Sequence, residues 1–90
     1  MGVRNGSSAG GDDGAGPVLD VRYHRCPLPV LKTRKALAAL PAGAILTILA
    51  TDPAARIDMA HFCATAGHAL LAVDEADGVL TFVIQRRSEA

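Results

Sequence analysis

A short apolar run in the middle of the chain, Ala44 to Ala50, constrains the fold most, because stretches with helical spacing flank it on both sides. The run reads AILTILA, and its β-branched residues without polar alternation are typical of a buried strand. A buried strand between two helices predicts a sheet that is covered by a helical layer, since the strand must bury its apolar side chains against another element.

The first helix is expected to begin at Cys26, with that residue as the N-cap, Pro27 at the first helical position and Pro29 in the first turn. Prolines are tolerated there because the amides of a first turn have no partner within the helix. The apolar face has the spacing i, i+3, i+7 and i+10, which is that of one side of a helix. Its residues are Val30, Thr33, Leu37 and Leu40.

A second helix is expected after the buried strand, with Thr51 or Asp52 as the N-cap, Pro53 just inside it and Gly67 at its end. Apolar residues recur at helical spacing along this segment. The predicted apolar side consists of Ile57, Ala60, Cys63 and Ala64, flanked by Met59 and Phe62.

Three further segments have strand patterns: Val18 to Val21, Leu70 to Val73 and Val79 to Gln85. The dipeptide Asp77-Gly78 predicts a hairpin turn that pairs the last two. The order β-α-β-α-β-β therefore predicts an α+β fold, a two-layer sandwich in which two helices cover one face of a four-stranded mixed sheet.

Residues 1–16 hold six of the nine glycines and almost no large apolar side chains. Ordering them would cost backbone entropy without burial, so we expect a disordered tail over 1–16, one domain over 17–87 and a short tail over 88–90. Because neither a signal peptide nor a membrane-length apolar segment is recognisable, we expect a cytoplasmic protein.

Nine Lys and Arg residues balance nine Asp and Glu residues, which argues against wholesale electrostatic binding of nucleic acid and leaves only a local basic patch as a route to it. One Tyr and two Phe residues are too few for a base-stacking platform. Without paired Cys or His spacings we expect no metal, and a domain this small is expected to hold no organic cofactor.

Cys26 is the residue to which the sequence assigns chemistry. Five basic residues and no acidic residue occur over positions 22–35, and the positive end of a helix dipole is expected at the sulfur. Both effects predict a lowered pKa for this cysteine and hence a nucleophilic thiolate. Its basic neighbours are Arg22, Arg25, Lys32, Arg34 and Lys35.

The other reactive residue types have simpler structural interpretations. Cys63 lies on an apolar helix stripe and is predicted to be a packing residue. Asp52 and Asp58 are explained as a cap and a first-turn carboxylate of the second helix. The remaining candidates for ligands or bases, interpreted as surface or loop residues, are His24, His61 and His68.

The sequence Cys-Pro-x-Pro, placed after a strand and at a helix start, resembles the TusA/SirA family of small sulfur-carrier proteins. The resemblance spans residues 18–87 and implies that Cys26 accepts sulfane sulfur as a persulfide and passes it to the next protein. Known members serve tRNA thiolation, molybdenum-cofactor synthesis or sulfur oxidation. The other matching positions are Leu19-Asp20, Arg34-Lys35, Asp52-Pro53, Phe62-Cys63 and His68.

The same resemblance implies partners and supporting residues. The donor would be a cysteine desulfurase or a rhodanese-like protein and the acceptor another sulfur-relay protein, while contact with a membrane or directly with nucleic acid is not expected. Arg25, Pro27, Leu28 and Pro29 would frame the sulfur. The candidates for docking partners are Lys32, Arg34, Lys35, Asp52, Arg56 and Asp58.

Three positions depart from the family pattern. Tyr23 stands where the family usually has glycine, so the turn before the cysteine must differ or must tolerate a side chain. Leu28 fills a position that is acidic in some members, which indicates a more apolar contact around the sulfur. Ile57 stands where some members have arginine. In this chain the nearest arginine is the preceding residue, Arg56, which points about 100° away around a helix.

Two other functions are compatible with the sequence. The first is a binding module for RNA or a regulatory protein in which the thiol is incidental, since this element order is shared with RNA-binding domains such as the C-terminal domain of translation initiation factor three. The second is a redox sensor that pairs Cys26 with Cys63, which would require their Cα atoms to lie within disulfide range.

Overall fold

A computed structural model describes residues 16–88 of the chain. Most of the predicted tails 1–16 and 88–90 therefore lies outside the described residues. Over the part described, the element order is the predicted β-α-β-α-β-β. The elements are β1 (Val18–Val21), α1 (Leu28–Ala38), β2 (Ile45–Ala50), α2 (Ala55–Ala66), β3 (Ala69–Ala76) and β4 (Val79–Gln85).

The four strands form one mixed sheet with the order β1-β2-β4-β3. β1 runs parallel to β2, and β4 is antiparallel to both β2 and β3. The β3–β4 hairpin turns at Asp77 and Gly78, both with positive φ (53° and 79°), as a two-residue turn of type I′ requires. These pairings confirm the predicted α+β class and the predicted hairpin.

The core lies between the sheet and the two helices. Alternate residues of the two central strands are buried, because successive side chains of a strand point to opposite faces. On α1 the buried side chains Thr33 and Leu37 confirm the predicted face, with Val30 and Leu40 half-buried beside them. The buried strand residues are Leu46, Ile48 and Ala50 on β2 and Leu80, Phe82 and Ile84 on β4.

The predicted apolar side of α2 is wrong in phase. Ile57 is 75% exposed, and Ala60 and Ala64 are exposed as well. The buried face follows the spacing i, i+4, i+7 and i+8 instead. Alanines occur on both sides of this helix, so the apolar periodicity did not distinguish the two phases. The residues that pack on the sheet are Ala55, Met59, Phe62 and Cys63.

Both helices begin later than predicted. α1 begins at Leu28 with Pro27 as its N-cap, and α2 begins at Ala55 with Ala54 as its N-cap. Neither N-cap makes a side-chain capping hydrogen bond. A turn precedes each helix, so the residues expected as caps lie one to three positions before the observed N-caps. Neither helix within residues 16–88 is long and apolar enough to cross a membrane.

Candidate functional site

The candidate site is formed by two loops at one edge of the sheet. β1 and β2 are parallel and in register, with Val21 opposite Ala50, so the loops that leave their carboxyl ends start side by side. The first loop carries Cys26 into α1, and the second carries Asp52 into α2. Residues that are far apart in the sequence therefore meet where the two helices begin.

Cys26 is exposed and precedes the N-cap of α1, so the prediction that it would cap the helix is wrong by one position. The Leu28 amide donates to the Arg25 carbonyl at 2.8 Å, which closes a turn around the cysteine. The Cys26–Pro27 peptide bond is cis. This turn occupies the backbone donor that a cap would have used and leaves the sulfur on the outside of the chain.

Asp52 joins the two loops. Its Oδ2 atom accepts a hydrogen bond from the Cys26 amide at 2.7 Å, and its Oδ1 atom accepts one from the Ala54 amide at 3.0 Å. The amide bond from Cys26, the one from Ala54 and the charge of Arg25 lower the pKa of the Asp52 carboxyl below its usual value. Asp52 thus positions the backbone of Cys26 and also binds the Ala54 amide just before α2.

The prediction of a lowered thiol pKa is wrong. The Asp58 carboxylate raises the pKa of Cys26 above its usual value, chiefly because it can accept a hydrogen bond from the thiol but not from a thiolate. Desolvation and the negative charges of Asp58 and Asp52 act in the same direction, because each disfavours an anionic sulfur. At neutral pH the group is accordingly a thiol, and the Asp58 carboxylate is the group that most favours this protonated form.

The local cations do not offset these carboxylates. Arg22 is bound to Asp20, with its Nη2 atom 2.8 Å from Oδ2 and its Nε atom 2.9 Å from Oδ1. The pair lowers the pKa of Asp20 to about 2. Arg22 was predicted to act on the sulfur because it is close to Cys26 in the sequence, but its guanidinium group forms an ion pair with Asp20 of β1 instead.

This end of the domain presents an exposed, free cysteine, and the sequence model of the family described as Sulfurtransferase TusA matches residues 18–86. The chain belongs to the TusA family. A candidate sulfur carrier protein of Neisseria meningitidis is 49% identical over 69 residues, which cover 77% of this chain and 93% of that protein. The sulfur carrier protein TusA of Pseudomonas syringae is 38% identical over 64 residues, 71% of this chain and 76% of that protein.

A solved structure supports the same assignment. The crystal structure of a SirA-like protein from Desulfitobacterium hafniense matches with a TM-score of 0.72 and 28% identity, covering 81% of this chain and 100% of that one. The recognised resemblance to TusA/SirA proteins is confirmed, and a sulfur-carrier role follows from the relatives that are named for it.

Tyr23 shows how this TusA-family chain accommodates its departure from glycine. Its backbone has a φ of 71°, in the left-handed region that favours glycine, and its amide donates to the Thr51 Oγ1 atom at 2.8 Å. The side chain is 85% exposed and therefore packs little. It lines a cleft of about 600 Å³ beside the cysteine loop, together with His24, Arg25, Thr51, Asp52 and Pro53.

Apolar side chains surround this end of the TusA-family domain. Leu28 and Leu31 are 45% and 44% exposed on the first turn of α1, and Ile57 is exposed immediately before Asp58 on α2. The more apolar contact around the sulfur, expected from Leu28, stays a prediction. Pro29, in contrast, is buried and anchors the start of α1.

The predicted docking residues do not form one group. Asp52 and Asp58 lie at the sulfur, and Lys32 is exposed on the second turn of α1. Arg56 is paired with Glu75 of β3, with its Nη2 atom 3.1 Å from Oε1. Lys35 is exposed further along α1, and Arg34 lines a different cleft with His68, Arg86 and Arg87.

Cys63 has the predicted packing role. It is 3% exposed within the core, and burial raises the pKa of its thiol. Both cysteines are free thiols, with Cys26 exposed and Cys63 buried. Over residues 16–88, His, Cys, Asp and Glu side chains form no group of three or more that could hold a metal ion.

Proposed function

We propose that this protein carries sulfur as a persulfide on Cys26 and relays it from a donor protein to an acceptor protein. The observation that carries the proposal is an exposed cysteine whose amide is held by the Asp52 carboxylate, in a chain of the TusA family. The Asp58 carboxylate acts on the same sulfur, since it raises the pKa of the Cys26 thiol. An accessible sulfur with a fixed backbone and a neighbouring proton acceptor has the features of an activated nucleophile.

The transfer is a sulfur exchange without net oxidation. The Cys26 sulfur attacks the terminal sulfur of the donor's persulfide, the donor's S–S bond breaks, and a new S–S bond forms on Cys26. The Cys26 proton passes to Asp58 as the sulfur attacks and then to the departing donor thiolate. The same exchange with an acceptor thiol returns Cys26 to its starting form.

Two partner classes fit this exchange. The donor is a protein that forms a cysteine persulfide, such as a cysteine desulfurase or a rhodanese-like protein, and the acceptor is another sulfur-relay protein. The exposed side chains of Tyr23, Leu28, Leu31 and Ile57 supply apolar contact area around the sulfur, as a protein interface requires at its centre. Arg25, Pro27 and Pro29 frame the approach to the sulfur, and we propose the cytoplasm as the compartment, since it keeps thiols reduced.

The proposal is tested by incubating the protein with a cysteine desulfurase and cysteine and then measuring its intact mass. We expect the addition of one sulfur atom, located on Cys26 by peptide mapping. Cys26→Ser should not be loaded, whereas Cys63→Ser, the matched control, should be loaded as the wild type is. If the sulfur atom appears on Cys63, or on neither cysteine, the proposed carrier residue is wrong.

A further inference from the structure

The sheet has a second face that the two helices do not cover. Both helices pack on the face that carries the buried core. Among residues 16–88 the sheet and these two helices are the only regular elements, so neither a helix nor a further strand covers the opposite face. Every second residue of each strand points there. On the two central strands these residues form the pairs Ile45 with Gln85, Thr47 with Val83, and Leu49 with Thr81.

The composition of this open face is that of a covered surface. A sheet face that meets water normally carries polar side chains in alternation with the buried ones, whereas strands that are buried on both faces are apolar throughout. The run that forms β2 has no charged residue, and the Gln85 amide donates to the Gly43 carbonyl at 3.0 Å. Ile45 and Val18 are 38% and 58% exposed. An apolar face of this extent marks an interaction surface.

The charged side chains of the open face lie on its two edge strands. Asp20 of β1 is in register with Leu49, and Asp74 of β3 is in register with Thr81, so one carboxylate stands at each end of the same row. Asp20 is already paired with Arg22. The centre of the face is therefore uncharged. The next row along the strands is uncharged as well and consists of Val18, Thr47, Val83 and Ala72.

We propose that the open face binds the same face of a second copy of the chain. Apolar sheet faces pack on one another about 10 Å apart, as the two sheets of a β-sandwich do. A two-fold axis that lies in the interface and crosses the strands puts the row with the carboxylates over the uncharged row of the other copy, so no two carboxylates are opposed. This contact closes on itself as a dimer, whereas contact with a different surface of the second copy would continue into an open chain.

The extent of the open face sets the strength of the dimer. Four strands about 4.8 Å apart, with about six residues each, form a face of roughly 400 Å² in each copy. The pair therefore buries about 800 Å², less than the roughly 1,200 Å² of stable complexes, so we expect a transient dimer that forms at high protein concentration. Residues 1–15 have only Met1 and Val3 as large apolar residues, too few to cover the same area.

The experiment measures the sedimentation of the full-length protein at concentrations between about 10 µM and 1 mM. We expect the average mass to rise from that of one chain toward that of two. Thr47→Lys puts a charge at the centre of the face and should raise the dissociation constant of the dimer about tenfold or more, because burial of an unpaired charge is costly. Thr65→Lys is the matched control: it makes the same replacement at an exposed position of α2, on the other side of the sheet, and should dimerise as the wild type does. Circular dichroism checks that both variants are folded.

Amide chemical shifts of the ¹⁵N-labelled wild type locate the contact without any substitution. On dilution we expect the amides of Thr47, Leu49, Thr81 and Val83 to shift, and the Thr65 amide to stay unchanged. The proposal is overturned if the mass stays that of one chain at about 1 mM, or if Thr65→Lys weakens the dimer as much as Thr47→Lys does. It is also overturned if the four amides shift only when a cysteine desulfurase is added, since that result assigns the face to a relay partner. Thr47→Lys should still accept sulfur on Cys26, so failure of sulfur loading and failure of this proposal are distinguishable.

Discussion

Replacing Tyr23 by glycine should make the domain more stable. A side chain in the left-handed region costs about 1–2 kcal/mol, and glycine removes that cost because it has no Cβ. Glycine also loses about 0.5–1 kcal/mol by making the unfolded chain more flexible. Since the Tyr23 side chain is 85% exposed, little apolar burial is lost. The net gain in the free energy of unfolding should be about 0.5–1 kcal/mol.

Thermal denaturation followed by circular dichroism measures this gain. A domain of this size should show a rise in Tm of about 2–8 °C, from the usual dependence of Tm on free energy. Tyr23→Ala is the matched control, because it removes the same ring but keeps a Cβ at a φ of 71° and so keeps the strain. The reasoning is refuted if Tyr23→Gly is less stable than the wild type, or if Tyr23→Ala gains as much as Tyr23→Gly.

The same two variants separate strain from function. The aromatic ring lines the cleft beside the cysteine loop, so we expect both variants to accept sulfur from a desulfurase more slowly than the wild type, although only the glycine variant gains stability. Rates of loading equal to the wild type would show that the ring takes no part in partner contact.

Three further predictions concern the site, acid stability and the core. Asp58→Asn should lower the pKa of Cys26, because it removes the negative charge that disfavours a thiolate and adds an N–H donor that can favour it. Alkylation by iodoacetamide against pH measures this shift, and an unchanged curve would contradict the assigned role of Asp58. The Asp20 carboxyl has a pKa of about 2 in the folded protein against an ordinary 3.8, so its ionised form stabilises the fold above about pH 4 and this contribution is lost as the pH falls toward 2. The free energy of unfolding of Asp20→Asn, measured by urea denaturation, should therefore depend less on pH over that interval than that of the wild type. Leu37→Ala should lower the free energy of unfolding by about 2–5 kcal/mol, because Leu37 is 1% exposed. Leu31 is exposed on the same helix, so Leu31→Ala should lower it by about 0.5 kcal/mol or less. Equal losses would show that the buried face of α1 is wrongly placed.

The fold followed from the sequence because its local signals agree with one another. The apolar run of β2 is unsuited to a solvent-exposed element and so predicts a buried strand. Asp77-Gly78 has the residue types that a two-residue hairpin turn requires. The phase of α2 did not follow, since its small apolar residues lie on both sides and alanine distinguishes poorly between core and surface. Larger side chains, Met59 and Phe62, give the correct face when they are weighted by the area they bury.

The position of Cys26 close to the start of the first helix could be predicted, but its electrostatics could not. Counting charges near Cys26 along the chain included Arg22 and omitted Asp52 and Asp58, which follow it by about one whole βα unit. The parallel pairing of β1 with β2 is what brings these carboxylates to the sulfur. A rule applied to the expected topology would have found them: in parallel strands, residues that follow the carboxyl end of one strand meet those that follow the next.

The double hydrogen bond of Asp52 has a mechanical consequence. One carboxylate accepts a hydrogen bond from the backbone of the cysteine loop with one oxygen and from the entry to α2 with the other, so a single side chain links the positions of the two segments. We therefore expect a displacement at the first turn of α2 to be transmitted to the cysteine loop through Asp52, and Asp52→Ala to uncouple the two segments.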